Sequence, residues 1–377
     1  MKGISKLGNA IILLMAITSA SAQTITLPPS GGNQKSSVSQ WMGPVMVSFS
    51  YNSPDVTGPN GEDRTGQIWG GLVPYGMNNL GFGAAESSPW RAGANENTVF
   101  TTTHDILIEG QKLPAGSYGF FMVVNETEPW TIIFSGNTSS WGSYYYEPEE
   151  DVLRVEVQPE DASFSEWLTY GFDDRELDHC TAFLHWEKKK IPFSLEVENV
   201  HQLYQSILAD EMRGAKGFDW RNLTTAARYL VQQNMELQQA LQWAETALTA
   251  NFIGQRNFQT LETKAMVLDA MGKGQEAESL MSEAIKLPEA TIQDIHFYGR
   301  RLLNEGKTDQ AVEIFEYNRK AHRDDKFTTV VGLARGYAAQ GNNKKAIKMW
   351  EQAIENLPEN QKPFLQQYQD EIEKLKN

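Results

Sequence analysis

The densest local chemistry in the sequence is the run Trp90-Arg-Ala-Gly-Ala-Asn-Glu-Asn-Thr98. A guanidinium can grip a carboxylate through two parallel hydrogen bonds, and a nearby amide and carboxylate add directional polar contacts. Trp90, Arg91, Asn95 and Glu96 are therefore a candidate small-ligand site. In the architectural alternative, Trp90 fills a core, Arg91 pairs with an internal acid and Asn95 closes a loop. A second cluster, Trp141-Gly-Ser-Tyr-Tyr-Tyr146, sets Trp141 and Tyr144 among polar neighbours. Exposed rings stack on the apolar faces of sugars, so a glycan is a candidate ligand there; rings that cap a sheet edge are the alternative.

Other chemistries fit less well. His104, His179 and His185, with Asp105 and Asp178, are the residues a metal would use in this half of the chain. None stands at H-x-E or H-E-x-x-H spacing, and His104 and Asp105 would point to opposite faces of a strand. No metal site and no cofactor are assigned. Asp173, Asp174 and Glu176, and Glu147, Glu149, Glu150 and Asp151, offer paired carboxylates. Such pairs suit glycoside hydrolysis, and a cell-surface carbohydrate hydrolase using acids of 147–178 is the alternative function. There is no G-x-S-x-G elbow, P-loop or dinucleotide-binding glycine run. No catalytic residue is assigned, and a binding role is preferred to an enzymatic one.

The 377 residues exceed one ordinary core, and two domains are expected. Residues 1–22 read as a secretory signal peptide: Lys2 and Lys6, then an apolar core, then Ala20-Ser-Ala22 as cleavage site. Removing them leaves 31 basic against 48 acidic side chains, a net charge of −17. Nucleic acid is excluded as a partner by that charge. The mature chain holds no apolar run long enough to span a bilayer, so a periplasmic or extracellular protein is expected. Cys180 is the only cysteine, which rules out an intrachain disulfide and suits a small buried hydrophobe.

The elements that must position these residues change character along the chain. Residues 23–39, with Pro28-Pro-Ser-Gly-Gly32, read as a flexible leader. From 40 to 193 the pattern is strand-like. Val45, Val47, Phe49 and Tyr51 alternate with polar positions, as do Leu153, Val155 and Val157. Further strands are expected at 67–72, 98–103, 105–109, 117–125, 130–135, 167–172 and 181–188. Many short strands and turns without helices argue for an antiparallel β-sandwich or jelly-roll-like domain.

The rhythm is expected to change at Ile191-Pro192, with helices over 194–377. Gly272, Gly306 and Gly341 lie 34 and 35 residues apart, and Ala277, Ala311 and Ala346 follow each by five. Met281, Phe315 and Trp350 come four further on. Small residues at fixed offsets let antiparallel helices pack closely, and the glycines end the first helix of each pair in a left-handed turn. The array looks like tetratricopeptide repeats, closed by a helix over 362–377. Polar residues of such arrays line a surface for a protein or peptide partner. Lys264, His296, Arg300 and Arg335 are the candidates here.

Several blocks of the β-region together resemble the domain of unknown function 2911 family. They are Pro44-Val-Met-Val-Ser-Phe-Ser-Tyr51, Leu72-Val-Pro-Tyr-Gly76, Trp90 to Thr98, Leu113-Pro-Ala-Gly-Ser-Tyr118, Trp130-Thr-Ile-Ile-Phe134, Trp141-Gly142 and Asp151-Val-Leu-Arg-Val155. The resemblance covers about residues 37–189. It implies a secreted bacterial protein, often continued by tetratricopeptide-like helices, and no established activity. One departure stands out: where the family has a short Gly-Arg step, this chain carries a longer loop from Gly58 to Arg64. The reading is thus a secreted binding or scaffold protein. Its β-sandwich would take a small ligand or glycan, and its helical repeats a protein partner.

Overall fold

The structure, a computed structural model, describes residues 32–127 and 129–376. The expected signal peptide, its expected cleavage site and residues 23–31 of the expected leader lie outside the described residues. The chain divides after Val200 into two compact units, a β-domain and a helical domain.

Among the described residues the β-domain holds ten strands: β1 (Gln34–Met42), β2 (Val45–Ser53), β3 (Thr98–Thr102), β4 (Ile106–Ile108), β5 (Gln111–Leu113), β6 (Gly116–Val123), β7 (Trp130–Ser135), β8 (Asp151–Val157), β9 (Glu160–Asp173) and β10 (His179–Glu196). They form two antiparallel sheets, ordered β1-β2-β3-β6-β7-β8 and β5-β4-β10-β9. The alternation read from Val45 to Tyr51 is the burial pattern of β2. Rings from both sheets meet in the core: Phe49 stacks on Tyr170 at 4.4 Å between centroids, and Phe120 on Phe193 at 5.9 Å. Cys180 is buried beside Met42, and burial pushes its thiol up to about 11.

Three expectations are corrected. Residues 34–39 are not leader but most of β1, an edge strand zipped to β2 from Gln34↔Ser53 to Met42↔Val45. Their alternation is Ser and Gln against Val38, so backbone pairing holds them with little apolar burial. Residues 67–72 are turns, with one bridge between Trp69 and Val73. The strand character also does not stop at Pro192: β10 pairs with β9 as far as Lys190↔Glu160 and resumes against β4 at Leu195↔Ile108. Pro192 falls between the two ladders, where its missing N–H costs no pairing.

The helical domain contains α1 (Val200–Arg213), α2 (Trp220–Gln232), α3 (Leu237–Thr249), α4 (Phe258–Ala270), α5 (Gly274–Ala284), α6 (Ile292–Asn304), α7 (Thr308–Ala321), α8 (Thr328–Ala339), α9 (Asn343–Glu355) and α10 (Leu365–Lys376). From α2 onward they pack as consecutive hairpins, with α10 closing the array on α9 through Tyr368 stacked on Trp350. Among the described residues no helix is long and apolar enough to cross a membrane.

Gly272, Gly306 and Gly341 end α4, α6 and α8 at φ of +77°, +75° and +75°. The caps repeat: Lys273, Lys307 and Asn342 donate to the carbonyls of Leu268, Leu302 and Tyr337 at 2.8–2.9 Å. In the hairpin without a glycine, Asn234 takes the left-handed role at φ +51°, and Met235 N–H donates to Leu230. Phe315 explains the small residues near it, because a Cβ on Gly299 or Gly332 would lie within 2.6 Å of its ring. Asn318, where a small residue is usual, is buried and donates to the Ile292 carbonyl at 2.9 Å.

Candidate functional site in the β-domain

Between β2 and β3, residues 54–97 contain no regular strand, only isolated bridges. This stretch is fixed to the sandwich at a few points. Trp90 exchanges two backbone hydrogen bonds with Met122 of β6 at 2.8 Å, and Asn78 does the same with Ser88. The loop Gly58–Arg64 is folded back by Arg64. Its guanidinium donates to the carbonyls of Asp55, Val56 and Thr57 and lies 3.6 Å from the Asp55 carboxylate.

The Trp90 to Thr98 run is a strained, well-anchored loop. Ala92 and Asn95 both sit in the left-handed region, at φ +48° and +57°, which costs the alanine about 1–2 kcal/mol and the asparagine less. The Ala92 carbonyl accepts from the Thr98 hydroxyl at 3.0 Å and from the Tyr170 phenol at 2.8 Å. Burial pushes the Tyr170 phenol well above its usual range, which keeps it a donor. Gly93 is needed for close approach, since a Cβ there would lie 2.7 Å from Thr98 Oγ1. Arg91 Nη1 donates to the Asn95 carbonyl at 2.5 Å and closes the turn.

These segments enclose a pocket of about 500 Å³. Trp90, Trp186, Leu72, Leu80 and four prolines (Pro54, Pro59, Pro74 and Pro89) supply its apolar walls. Asn33, Asp55, Arg64, Asn78, Ser88 and Arg91 supply its polar groups. Trp90 and Trp186 belong to a cluster with Trp69 and Trp130: Trp90 and Trp186 are stacked at 6.1 Å, and Trp69 meets both edge-on. Trp130 donates to the Asn125 carbonyl, whereas the buried indole N–H groups of Trp69 and Trp186 have no partner.

Arg91 touches the second aromatic cluster as well. Its guanidinium lies over the Tyr144 ring at 5.1 Å, and a Cβ on Gly142 would sit 2.1 Å from Arg91 Cζ. The loop carrying Tyr144 is held by Tyr146, which donates to Asp151 and accepts from Arg154, each at 2.7 Å. Trp141 projects outward at 52% exposure and does not line the pocket. Asn95 and Glu96 stand behind the wall: Asn33 donates to Asn95, and Asn52 donates to Glu96 at 2.6 Å. The run therefore divides, with Trp90 and Arg91 facing the pocket and Asn95 and Glu96 bracing it.

Sequence reasoning missed Asp55, Arg64, Trp69, Trp186 and Glu187. Glu187 is 4% exposed, lies in the left-handed region at a bulge of β10, and accepts from the Gly66 and Lys188 N–H groups. It ties the loop bearing Pro59 and Arg64 to the strand bearing Trp186.

The histidines and acids are dispersed. His104 contacts Thr103, His179 pairs with Asp178, and His185 meets the Ser163 carbonyl. Asp151 belongs to β8 in one sheet and Asp173 to β9 in the other, where Lys190 pairs with it. Asp174 accepts from Thr181.

The pattern of these residues matches a known family model over residues 33–195, described as protein of unknown function (DUF2911). The β-domain is a DUF2911 domain. No curated protein matches the chain. Two solved structures similar to it are repeat proteins. YrrB, described as a TPR protein with an unusual peptide-binding site, is 20% identical, with 43% of this chain and 80% of that one covered at a TM-score of 0.28. A tetratricopeptide repeat protein from Parabacteroides merdae is 16% identical, with 47% and 68% covered at a TM-score of 0.33. The matched residues are followed by the array of helical hairpins from α2 to α10.

In the repeats, the four residues expected to face a partner have unlike settings. Arg300 is exposed on α6, and Lys264 pairs with Glu245 at 3.2 Å. Arg335 is half-buried over the Trp350 ring. His296 is not at the surface: at 8% exposure it packs on Phe315, 5.7 Å between ring centroids, in space left by Gly332. Burial first, then Arg300 and Arg335, holds its imidazole at about 4.

Proposed function

We propose that this is a secreted, non-catalytic binding protein of the cell envelope. Its DUF2911 domain takes a small ligand and its helical repeats dock a protein or peptide partner. One observation carries the first half: a pocket of about 500 Å³ whose walls are tryptophan, leucine and proline and whose polar groups are few and fixed. That volume and mixture suit a drug-sized ligand with a flat apolar face, a sugar ring included. The repeats support the second half, because stacked hairpins present one continuous surface. The basic amino terminus, apolar core and Ala20-Ser-Ala22 support export.

The test is a titration of the full mature chain with monosaccharides, amino acids and small aromatic acids, followed by tryptophan fluorescence. Saturable change that disappears in Trp90→Ala supports the pocket reading, and a flat response from every compound refutes it. Export is checked by fractionating cells that express the whole sequence; retention of the 1–22 segment in cytoplasmic protein overturns it. Capture of a partner by the whole chain but not by a chain ending at Val200 supports the docking role, and equal capture by both ends it.

A further inference from the structure

Arg91 is fixed in the pocket wall by one hydrogen bond and one ring contact, and few of its donors are used. A guanidinium has five N–H donors. One goes to the Asn95 carbonyl, the ring of Tyr144 covers one face, and among the described residues no carboxylate lies within ion-pair distance. The seat is cut for this side chain: Gly142, at φ +66°, leaves the volume that the guanidinium fills. Yet the sequence carries a formal net charge of −15, so an acid to neutralise Arg91 would have been easy to supply. The other charged groups on the wall are Arg64 and Asp55, which face each other. The pocket is left with one cation in excess.

We propose that Arg91 is the receptor for an oxyanion on the ligand, and that the ligand is a ring or other flat apolar body bearing a carboxylate or phosphate. Trp90 and Trp186 form the wall for the apolar body, and the free edge of the guanidinium takes the oxyanion. Fixing the cation on Tyr144 and the Asn95 carbonyl before the ligand arrives removes the ordering cost that a long side chain would otherwise bring. The nearby prolines and indoles exclude water, which strengthens the contact. This inference rests on the pocket being a small-ligand site.

Calorimetric titration of the full mature chain with four probes tests it: benzoate, phenyl phosphate, and their neutral counterparts benzamide and benzyl alcohol. One or both anions should bind roughly 10- to 100-fold more tightly than the neutral probes, the scale of a charge-assisted hydrogen bond. The preferred anion distinguishes a carboxylate from a phosphate ligand. Arg91→Gln should abolish the preference while leaving the weak neutral binding, and Arg91→Lys should retain part of it. Gly142→Ala, which keeps the charge but fills the seat, should also reduce it. Equal affinity for anions and neutral probes overturns the oxyanion role while the pocket reading stands, as does a preference that survives Arg91→Gln. Failure of all four probes on folded wild-type protein overturns both. The comparison of probes on wild type needs no variant to fold.

Discussion

Acidification should destabilise the helical domain by about 3 kcal/mol through His296 alone. This imidazole on α6 is buried against Phe315, its Nδ1 has no partner, and a Cβ on Gly332 of α8 would lie 3.1 Å from that atom. Arg300 on the same helix and Arg335 on α8 oppose its protonation, whereas Asp325 and a backbone contact at Thr328 favour it. The folded chain therefore protonates His296 at about 4 against an ordinary value of 6.5. The unfolded chain takes up the proton first as pH falls. The stabilisation is complete above about 6.5, declines between 6.5 and about 4, and falls no further below that. At ~1.4 kcal/mol per pH unit the difference comes to about 3 kcal/mol. Urea unfolding followed at the helical circular dichroism signal, on full-length wild type and His296→Gln, isolates the effect. Carboxylates titrate in the same range but in both proteins, so they cancel in the difference. The wild type should lose about 3 kcal/mol more than the variant between about pH 8 and pH 4. A difference under about 1 kcal/mol would show that His296 becomes charged in the folded chain, and the burial argument would be wrong.

Two further perturbations probe the repeats. Gly306→Ala should cost about 1–2 kcal/mol. Nothing lies within 4 Å of the added Cβ, so the cost is backbone strain alone and Gly306→Asn should recover part of it. By the same reasoning Asn234→Gly, at the one hairpin turn without glycine, should raise the melting midpoint slightly, and a fall would refute the equivalence of the turns. Glu262 of α4 joins Arg228 of α2 and Arg301 of α6 at 2.7 and 2.9 Å, its own carboxylate 14% exposed. Because both guanidiniums are about one-third exposed, Glu262→Gln should cost about 1–2 kcal/mol rather than the larger loss of a sealed triad, measured by the same urea unfolding.

The parts of the fold legible in the sequence are those where one physical requirement repeats. Every-second-residue burial in β2 follows from the pleat, and three glycines in phase follow from a turn that needs positive φ. β1 escaped because an edge strand paired on one side can be almost wholly polar. The continuation of β10 beyond the strand expected at 181–188 escaped because Pro192 ordinarily ends a strand, and only the change of partner from β9 to β4 makes it harmless. His296 looked like surface decoration because a histidine on a helix carries no mark of the cavity that Gly332, far along the chain, provides. For the site, Trp90 and Arg91 were visible as unusual neighbours. Trp186 and Arg64 were not, because nothing local in a strand tryptophan or a loop arginine indicates that both meet the same pocket.

The DUF2911 domain separates scaffold from site in a way that bears on where ligand preference would change. Its two sheets are closed by rings of Phe49, Phe120, Tyr170 and Phe193, which have no freedom to vary without opening the core. Nearly all of the pocket comes instead from residues 54–97, with Gly32, Asn33, Ser143 and Trp186 completing it. Within that stretch the Trp90 to Thr98 loop is pinned by Tyr170, Thr98 and Met122, so Arg91 is part of the fixed half. The loop Gly58–Arg64 is the adjustable half: it stands on hydrogen bonds from Arg64, and the Glu187 carboxylate holds the Gly66 N–H just beyond it. On that division Arg91 would hold the charged group of this chain's ligand, and Pro59 and Arg64 would face the rest of it. Replacing Gly58–Arg64 by a Gly-Arg step should change which apolar body binds while leaving the preference for an anion over its neutral counterpart; loss of that preference would place the recognition of charge in the loop, not in Arg91.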